Sequence, residues 1–183
     1  TSLLSLQAAQ SDDDMIKKSL TESFNRIRTM SLIHERIYRS TDLSHLDFNI
    51  YVRELTGFLI DNFSLTNAVT LKIDIQNVFL ELDTAIPCGL LLNELTTNAL
   101  KYAFPNSNEI KEPSIKISCL IKDNYYKLIF EDNGIGLPES INFELEQLSL
   151  GLNLVKMLVY QIEGTIKIER EKGTKYIIEF PSK

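Results

Sequence analysis

Tryptophan is absent from the 183 residues, and histidine and cysteine occur only twice each. Cys88 and Cys119 sit in apolar stretches without Cys-x-x-Cys spacing, which reads as buried free thiols in a reducing compartment rather than a bridge or a metal site. No apolar run approaches the roughly 20 residues that cross a bilayer, so no membrane segment is expected. The first residues do not read as a signal peptide either, and the expected location is the cytoplasm. Basic residues are outnumbered, 19 Lys and Arg against 25 Asp and Glu, a net charge of −6. A general nucleic-acid surface needs clustered Lys and Arg, so the charge balance argues against that function class. A phosphate-bearing small ligand is not, because it needs only local donors. Repeats and low-complexity tracts are missing. What is present in quantity is apolar material, 44% of the chain, enough for a sizeable core.

The first forty residues differ from the rest. Leu3, Leu4 and Leu6 read as the tail of a helix. Ser11 to Asp14 is a turn and the start of a second helix, with short acceptor side chains and negative charge near that helix's N-terminus. Neither Gly nor Pro occurs from Met15 to Arg39. Ile16, Leu20, Phe24, Ile27 and Tyr38 form an apolar stripe, with Ser31 and His34 between them and Met30, Ile33 and Ile37 beside it. Steps of three and four are the period of a helix packing along another helix. A hairpin this short needs a second copy or an adjoining domain to cover it. An amphipathic core helix of a single domain is the plainer reading of the same stripe; residues 1–42 are expected instead to be part of a dimerising helical hairpin, and 43–183 a second domain.

In that second domain, 40–46 reads as a linker containing His45. Asp47 caps a helix over Phe48–Asn62, with Tyr51, Leu55, Phe58 and Leu59 on one side. Val69–Ile75 alternates with period two, as a half-buried strand does, and 77–83 holds another short strand. A helix is expected over Thr84–Phe104, capped by Asp83 or Thr84, with Pro87 in its first turn. Strands come next at Ser114–Ile121 and Tyr125–Glu131, then a loop over Asp132–Ser149, a helix over Leu150–Ile162, and strands at Thr165–Arg170 and Lys175–Phe180. Hairpin-linked strands predict an α+β fold, a mixed and largely antiparallel sheet with helices on one face.

Chemistry concentrates in four places. Glu94, Asn98, Lys101 and Tyr102 stand at i, i+4, i+7 and i+8 and share one helix face. A carboxylate, an amide oxygen, an ammonium and an aromatic suit a nucleotide with its metal, because Mg²⁺ takes few protein oxygens and keeps phosphate and water as other ligands. A solvated polar face is the plainer reading of the same residues. Asp132-Asn-Gly134-Ile-Gly136 ends an apolar strand, placing a carboxylate on rigid backbone before glycines that let main chain approach a ligand; it also reads as a simple tight turn. Ser149-Leu-Gly151-Leu152 opens a helix, where unpaired N–H groups and the helix dipole favour phosphate; an ordinary cap by Ser149 explains it equally well. Gly173-Thr174 alone is a hairpin turn.

In this order the four resemble the nucleotide-binding boxes of the gyrase, Hsp90, histidine kinase and MutL ATPase superfamily. The N box corresponds to Asn93–Tyr102, the two glycine boxes to Asp132–Gly136 and Ser149–Leu152, and the late Gly-Thr element to Gly173-Thr174. The resemblance implies a two-layer α/β sandwich, the Bergerat ATP-binding fold. It implies ATP and Mg²⁺ as cofactors, Asn98 as metal ligand and Asp132 as adenine acceptor, with Gly134 and Gly136 giving room for the base. Lys101 and the backbone of Ser149 and Gly151 would meet phosphate, Tyr102 and Leu152 would belong to the pocket, and Thr174 would lie near adenine. Glu94 would assist the metal-bound water or phosphoryl transfer.

Asn98-Ala-Leu-Lys-Tyr102 is similar to sensor histidine kinases. Ser2-Leu-Leu-Ser-Leu-Gln7, Arg26-Ile-Arg-Thr-Met-Ser-Leu-Ile-His34-Glu-Arg-Ile-Tyr38 and the Asp47-Phe48 helix start resemble a subgroup with its own dimerisation hairpin, close to the HWE kinases. That resemblance implies transfer of the ATP γ-phosphoryl group to a histidine and then to an aspartate of a response regulator receiver domain, within a homodimer. In the subgroup the acceptor precedes the Ser-Leu-Leu-x-Leu-Gln stretch by roughly ten residues, so it is expected upstream of Thr1, leaving His34 as a packing residue and His45 solvated. The stretch between Leu137 and Ser149 is short and the second glycine box holds one Gly, both in keeping with this subgroup. An anti-sigma-type serine-protein kinase and a nucleotide-binding scaffold without transfer activity are the rival readings.

Overall fold

The computed structural model describes residues 45–62, 69–105, 110, 112–138, 141 and 148–182, together with single positions between 13 and 31. The reading of 1–10, the helix from 32 onward with His34, and most of the stretch between Leu137 and Ser149 lie outside the described residues. Ile16, Lys17, Leu20, Ser23, Phe24, Arg26–Thr29 and Ser31 are helical, in agreement with the apolar stripe.

Asp47 caps α1 (Phe48–Asn62), its Oδ1 accepting from the Ile50 N–H at 3.1 Å. Phe48, Tyr51, Val52, Leu55 and Leu59 are wholly buried. The preceding residues are not a bare linker. His45–Asp47 form β1, antiparallel to β3 (Phe79–Glu81). Three residues carry too little periodicity to signal a strand, and the pairing is long-range.

β2 (Thr70–Ile75) joins β4 (Ser114–Lys122), β5 (Tyr125–Asp132), β6 (Thr165–Glu169) and β7 (Thr174–Pro181) in one sheet of order β2-β4-β5-β7-β6. Only β2 and β4 are parallel; every other pair is antiparallel. The sheet buries Ile75, Ile115, Ile117, Leu128, Phe130, Ile178 and Phe180 in one cluster with the inner sides of the helices. Burying that many full-size apolar side chains at about 1.5–3 kcal/mol each is the main drive for the fold. This is the mixed two-layer α+β arrangement that the alternating strands predict.

The long helix departs from expectation at both ends. α2 runs Leu82–Asn98 with Glu81 as a cap that makes no side-chain hydrogen bond, so neither Asp83 nor Thr84 caps it. Pro87 therefore lies in the second turn. Its missing N–H leaves the carbonyl four residues back, on exposed Asp83, open to water, which keeps the cost small. Beyond Asn98 the helix widens into one π-turn, Ala99–Ala103. Such turns are uncommon and concentrate at functional sites. Here the turn frees the Ala103 carbonyl, which accepts from the Ile135 N–H at 3.0 Å. A helix end is thereby tied to the glycine turn after β5.

α3 (Leu150–Gln161) packs its Leu152, Val155, Leu158 and Val159 inward. Cys88 and Cys119 are free and buried, as expected. Burial pushes the Cys119 thiol up to about 12 and Cys88 well above its ordinary value, so neither is a ready nucleophile. Among the described residues, no helix is long and apolar enough to cross a membrane.

Candidate functional site

A cavity of about 700 Å³ opens between α2, the turn after β5 and the start of α3. Glu94, Asn98, Lys101, Tyr102, Asp132, Gly136, Ser149, Gly151, Leu152 and Thr174 all line it. Residues from four separate stretches of sequence thus converge on one hollow. That volume falls within the range of small-molecule sites.

The plainer, solvated reading of the α2 face fails at Glu94 and holds at Tyr102. A solvated polar face would be exposed, yet Asn93 is 2% and Glu94 6% exposed. Glu94 is held by the Arg26 guanidinium in a two-point pair, Nε to Oε1 at 2.7 Å and Nη2 to Oε2 at 3.2 Å. The Asn93 amide donates to the same Oε1 at 3.3 Å. Asn98 and Lys101 are half-buried further along, while Tyr102, 55% exposed, stands at the rim.

Asp132 is the last residue of β5, one position further along the strand than its sequence suggests. It is buried, and its Oδ1 accepts from the N–H groups of Gly134 at 3.0 Å and Thr174 at 3.3 Å. Burial pushes its carboxyl above the ordinary 3.8, and those two N–H donors pull it partly back. A carboxylate whose folded pKa is raised stabilises the fold fully below the unfolded value, and that contribution is lost as pH rises through the folded value. The stability advantage of the wild type over Asp132→Asn, from urea melts, should therefore shrink as pH rises from about 4 toward 7.

The glycines divide into two kinds. Gly136 has φ +84° and lies on the cavity wall, while Gly173 has φ +85° in the β6–β7 hairpin. A Cβ at Gly173 would overlap the Asp132 carbonyl, so this glycine lets the hairpin press against the strand end that carries Asp132. Gly134 does not line the cavity. A Cβ there would collide with Ala103, so it serves the contact between the turn and the π-turn of the long helix. Gly151 likewise admits a neighbour: a Cβ would come within 2.8 Å of the Glu94 Oε2. Ser149 caps α3, its Oγ accepting from the Leu152 N–H at 3.4 Å. The cap and a ligand role are compatible, since only one of the first-turn N–H groups is used.

Several lining residues were not legible beforehand. Ile135, Leu137, Pro138 and Ile141 give the cavity an apolar side, and Tyr176 joins Thr174 on the inward face of β7. The two-residue spacing on a strand is the signal that could have found Tyr176. Its phenol is held neutral by burial and by the Asp132 charge. Asn133 proves structural: its amide accepts from Ser114 N at 2.7 Å and donates to Glu112 O at 2.8 Å, pinning the start of β4.

This fold and cavity define an ATPase domain. The chain belongs to the histidine kinase-, DNA gyrase B- and HSP90-like ATPase family, whose model matches residues 84–183, while a model described as histidine kinase matches residues 1–63. Family membership implies an ATP-binding site. The sensor histidine kinase PdtaS of Mycobacterium tuberculosis (strain ATCC 25618 / H37Rv) is 25% identical over 182 residues, covering 98% of this chain and 36% of its own length. The chain thus spans about a third of that relative. Blue-light-activated histidine kinase 2 of Erythrobacter litoralis (strain HTCC2594) is 29% identical over 115 residues, 62% of this chain and 32% of the relative. The histidine kinase domain of the Erythrobacter litoralis EL346 blue-light activated histidine kinase superposes with a TM-score of 0.76 at 21% identity, covering 98% of this chain and 82% of that one, which is a likeness of fold.

Proposed function

We propose that this chain is the ATP-binding catalytic part of a sensor histidine kinase. It moves the γ-phosphoryl group of ATP to a histidine, and from there to an aspartate of a response regulator receiver domain. The observation that carries the reading is the convergence of Asn98, Lys101, Asp132, Gly151 and Thr174 on one cavity beside a helical segment matching histidine kinases. Adenine lies against the apolar wall with its 6-amino group donating to Asp132, whose carboxyl is oriented by two backbone donors. Lys101 and the backbone at Ser149 and Gly151 neutralise and orient phosphate. Phosphoryl transfer needs little covalent help from the protein, so alignment and charge neutralisation suffice.

The side chains fit a divalent metal. No group of three or more His, Cys, Asp or Glu that could hold a metal exists among the described residues, which disfavours an all-protein cage. Mg²⁺ does not need one. Asn98 would be its protein ligand, and Glu94, one turn earlier, would orient a water on it. When bound, Mg²⁺ supplies charge neutralisation of the phosphates.

We further propose the division into a dimerising helical hairpin over 1–42 and a catalytic domain over 43–183. In its favour, the α1 residues Tyr51, Leu55 and Leu59 belong to the same buried cluster as the sheet. The unit belongs in the cytoplasm, where ATP is available and two buried thiols stay reduced.

A second reading has one specific observation behind it. Anti-sigma F factor of Clostridium kluyveri (strain NBRC 12016) is 29% identical over 108 residues, 54% of this chain and 71% of the relative. The match of residues 1–63 to histidine kinases stands against a serine-protein kinase. The chain should therefore be incubated with Mg²⁺ and γ-labelled ATP, together with a kinase hairpin that bears an acceptor histidine. Acid-labile, alkali-stable label on that histidine is the expected outcome. Acid-stable label on a serine of an added anti-sigma antagonist, with none on histidine, would replace the proposal by its rival.

A further inference from the structure

The helical residues before α1 touch the nucleotide cavity at a point that neither the glycine turns nor dimerisation requires. Arg26 grips both oxygens of Glu94, and the pair is largely shielded, at 22% and 8% side-chain exposure. One turn on, the buried Thr29 hydroxyl donates to the Asn93 oxygen at 3.3 Å. Arg28 sets its guanidinium 5.6 Å from the centre of the Phe58 ring on α1. Arg26 and Thr29 stand three apart and so meet the adjacent residues Glu94 and Asn93 from one helix face.

Glu94 is thereby largely engaged. Oε1 accepts from Arg26 and Asn93, Oε2 accepts from Arg26, and a Cβ at Gly151 would crowd Oε2. Three of the carboxylate's roughly four acceptor positions are thus engaged, so a water on a metal at Asn98 must compete with the guanidinium for it. We infer that Arg26 is a positioning residue that withholds Glu94, and that docking of the helical segment competes with Mg²⁺-nucleotide for this carboxylate. The inference rests on the nucleotide reading of the cavity. Its consequence is reciprocal: an occupied cavity loosens the helical segment, and a pulled-away segment readies the cavity. A signal arriving through the helices would thus reach the metal site through one ion pair.

The test uses the chain itself with AMP-PNP, a non-hydrolysable ATP analogue, titrated calorimetrically with and without Mg²⁺. Arg26→Gln should bind Mg²⁺·AMP-PNP at least about fivefold tighter than the wild type, the lower end of typical coupling between sites. Metal-free AMP-PNP affinity should change less than about twofold, within ordinary experimental scatter for an uncoupled change. In a Glu94→Gln background the same replacement should have no effect on Mg²⁺·AMP-PNP, a result that a merely structural role for Arg26 would not give. Hydrogen exchange on the wild type provides a second measurement that needs no variant. Amides of the peptide spanning Arg26–Thr29 should exchange faster once Mg²⁺·AMP-PNP saturates the cavity. Unchanged or weaker binding by Arg26→Gln, or unchanged or slower exchange, overturns the inference. A wild type that binds no AMP-PNP at all overturns the nucleotide reading instead.

Discussion

Asp132→Ala should remove nucleotide binding almost entirely, weakening ADP affinity by about 100-fold or more in a calorimetric titration. A charge-assisted hydrogen bond is worth about 1.5–3 kcal/mol, and an adenine amino group left without its acceptor in the pocket adds a desolvation cost. The loss should exceed that from a surface carboxylate because Asp132 is 3% exposed. The same change strips the acceptor from the Gly134 and Thr174 N–H groups. The stranded Thr174 donor is buried and costs about 1–3 kcal/mol, and the half-buried Gly134 donor less, so a fall of several degrees in Tm should accompany the lost affinity. Asp132→Asn separates the two effects. Its amide oxygen can still accept from the backbone, so the fold should be nearly as stable while adenine loses its anionic partner. A stable Asp132→Asn protein with unchanged ADP affinity would remove Asp132 from the site.

Asn98→Ala acts differently. Asn98 lines the cavity on α2, one turn beyond Glu94, and is the protein oxygen proposed for the metal. Removing it should erase the gain that Mg²⁺ gives to nucleotide affinity, about 10- to 100-fold, the range for losing a metal-site partner. Metal-free ADP should bind nearly as before, since the adenine end is untouched. Stability should also hold, because a half-buried side chain leaves a cleft that water can fill. Equal affinity gain from Mg²⁺ in the variant and the wild type would place the metal elsewhere.

Much of this site could be read in advance because its residues obey local periods. Glu94, Asn98, Lys101 and Tyr102 follow the helical repeat, and the strand before Asp132 follows the two-residue repeat. The order of four weak signals carried more than any single one. What stayed hidden depended on long-range packing. Arg26 reaches Glu94 across 68 residues, and no pattern within the helix announces its partner. The three-residue β1 exists through its pairing with β3. The π-turn at Ala99–Ala103 makes sense only beside Gly134, whose role could not be separated from that of Gly136 by sequence alone. Burial of Glu94 was likewise illegible, because the feature that covers it is the helical segment carrying Arg26.

The most direct test is a calorimetric comparison of ATP with GTP on the wild-type chain, each with Mg²⁺. Guanine presents a carbonyl where adenine presents its 6-amino donor, so it sets an acceptor against the Asp132 carboxylate. The account predicts one ATP per chain and GTP binding weaker by at least about tenfold, equivalent to about 1.4 kcal/mol of lost pairing. Equal affinity for the two nucleotides, or no binding of either, would contradict it.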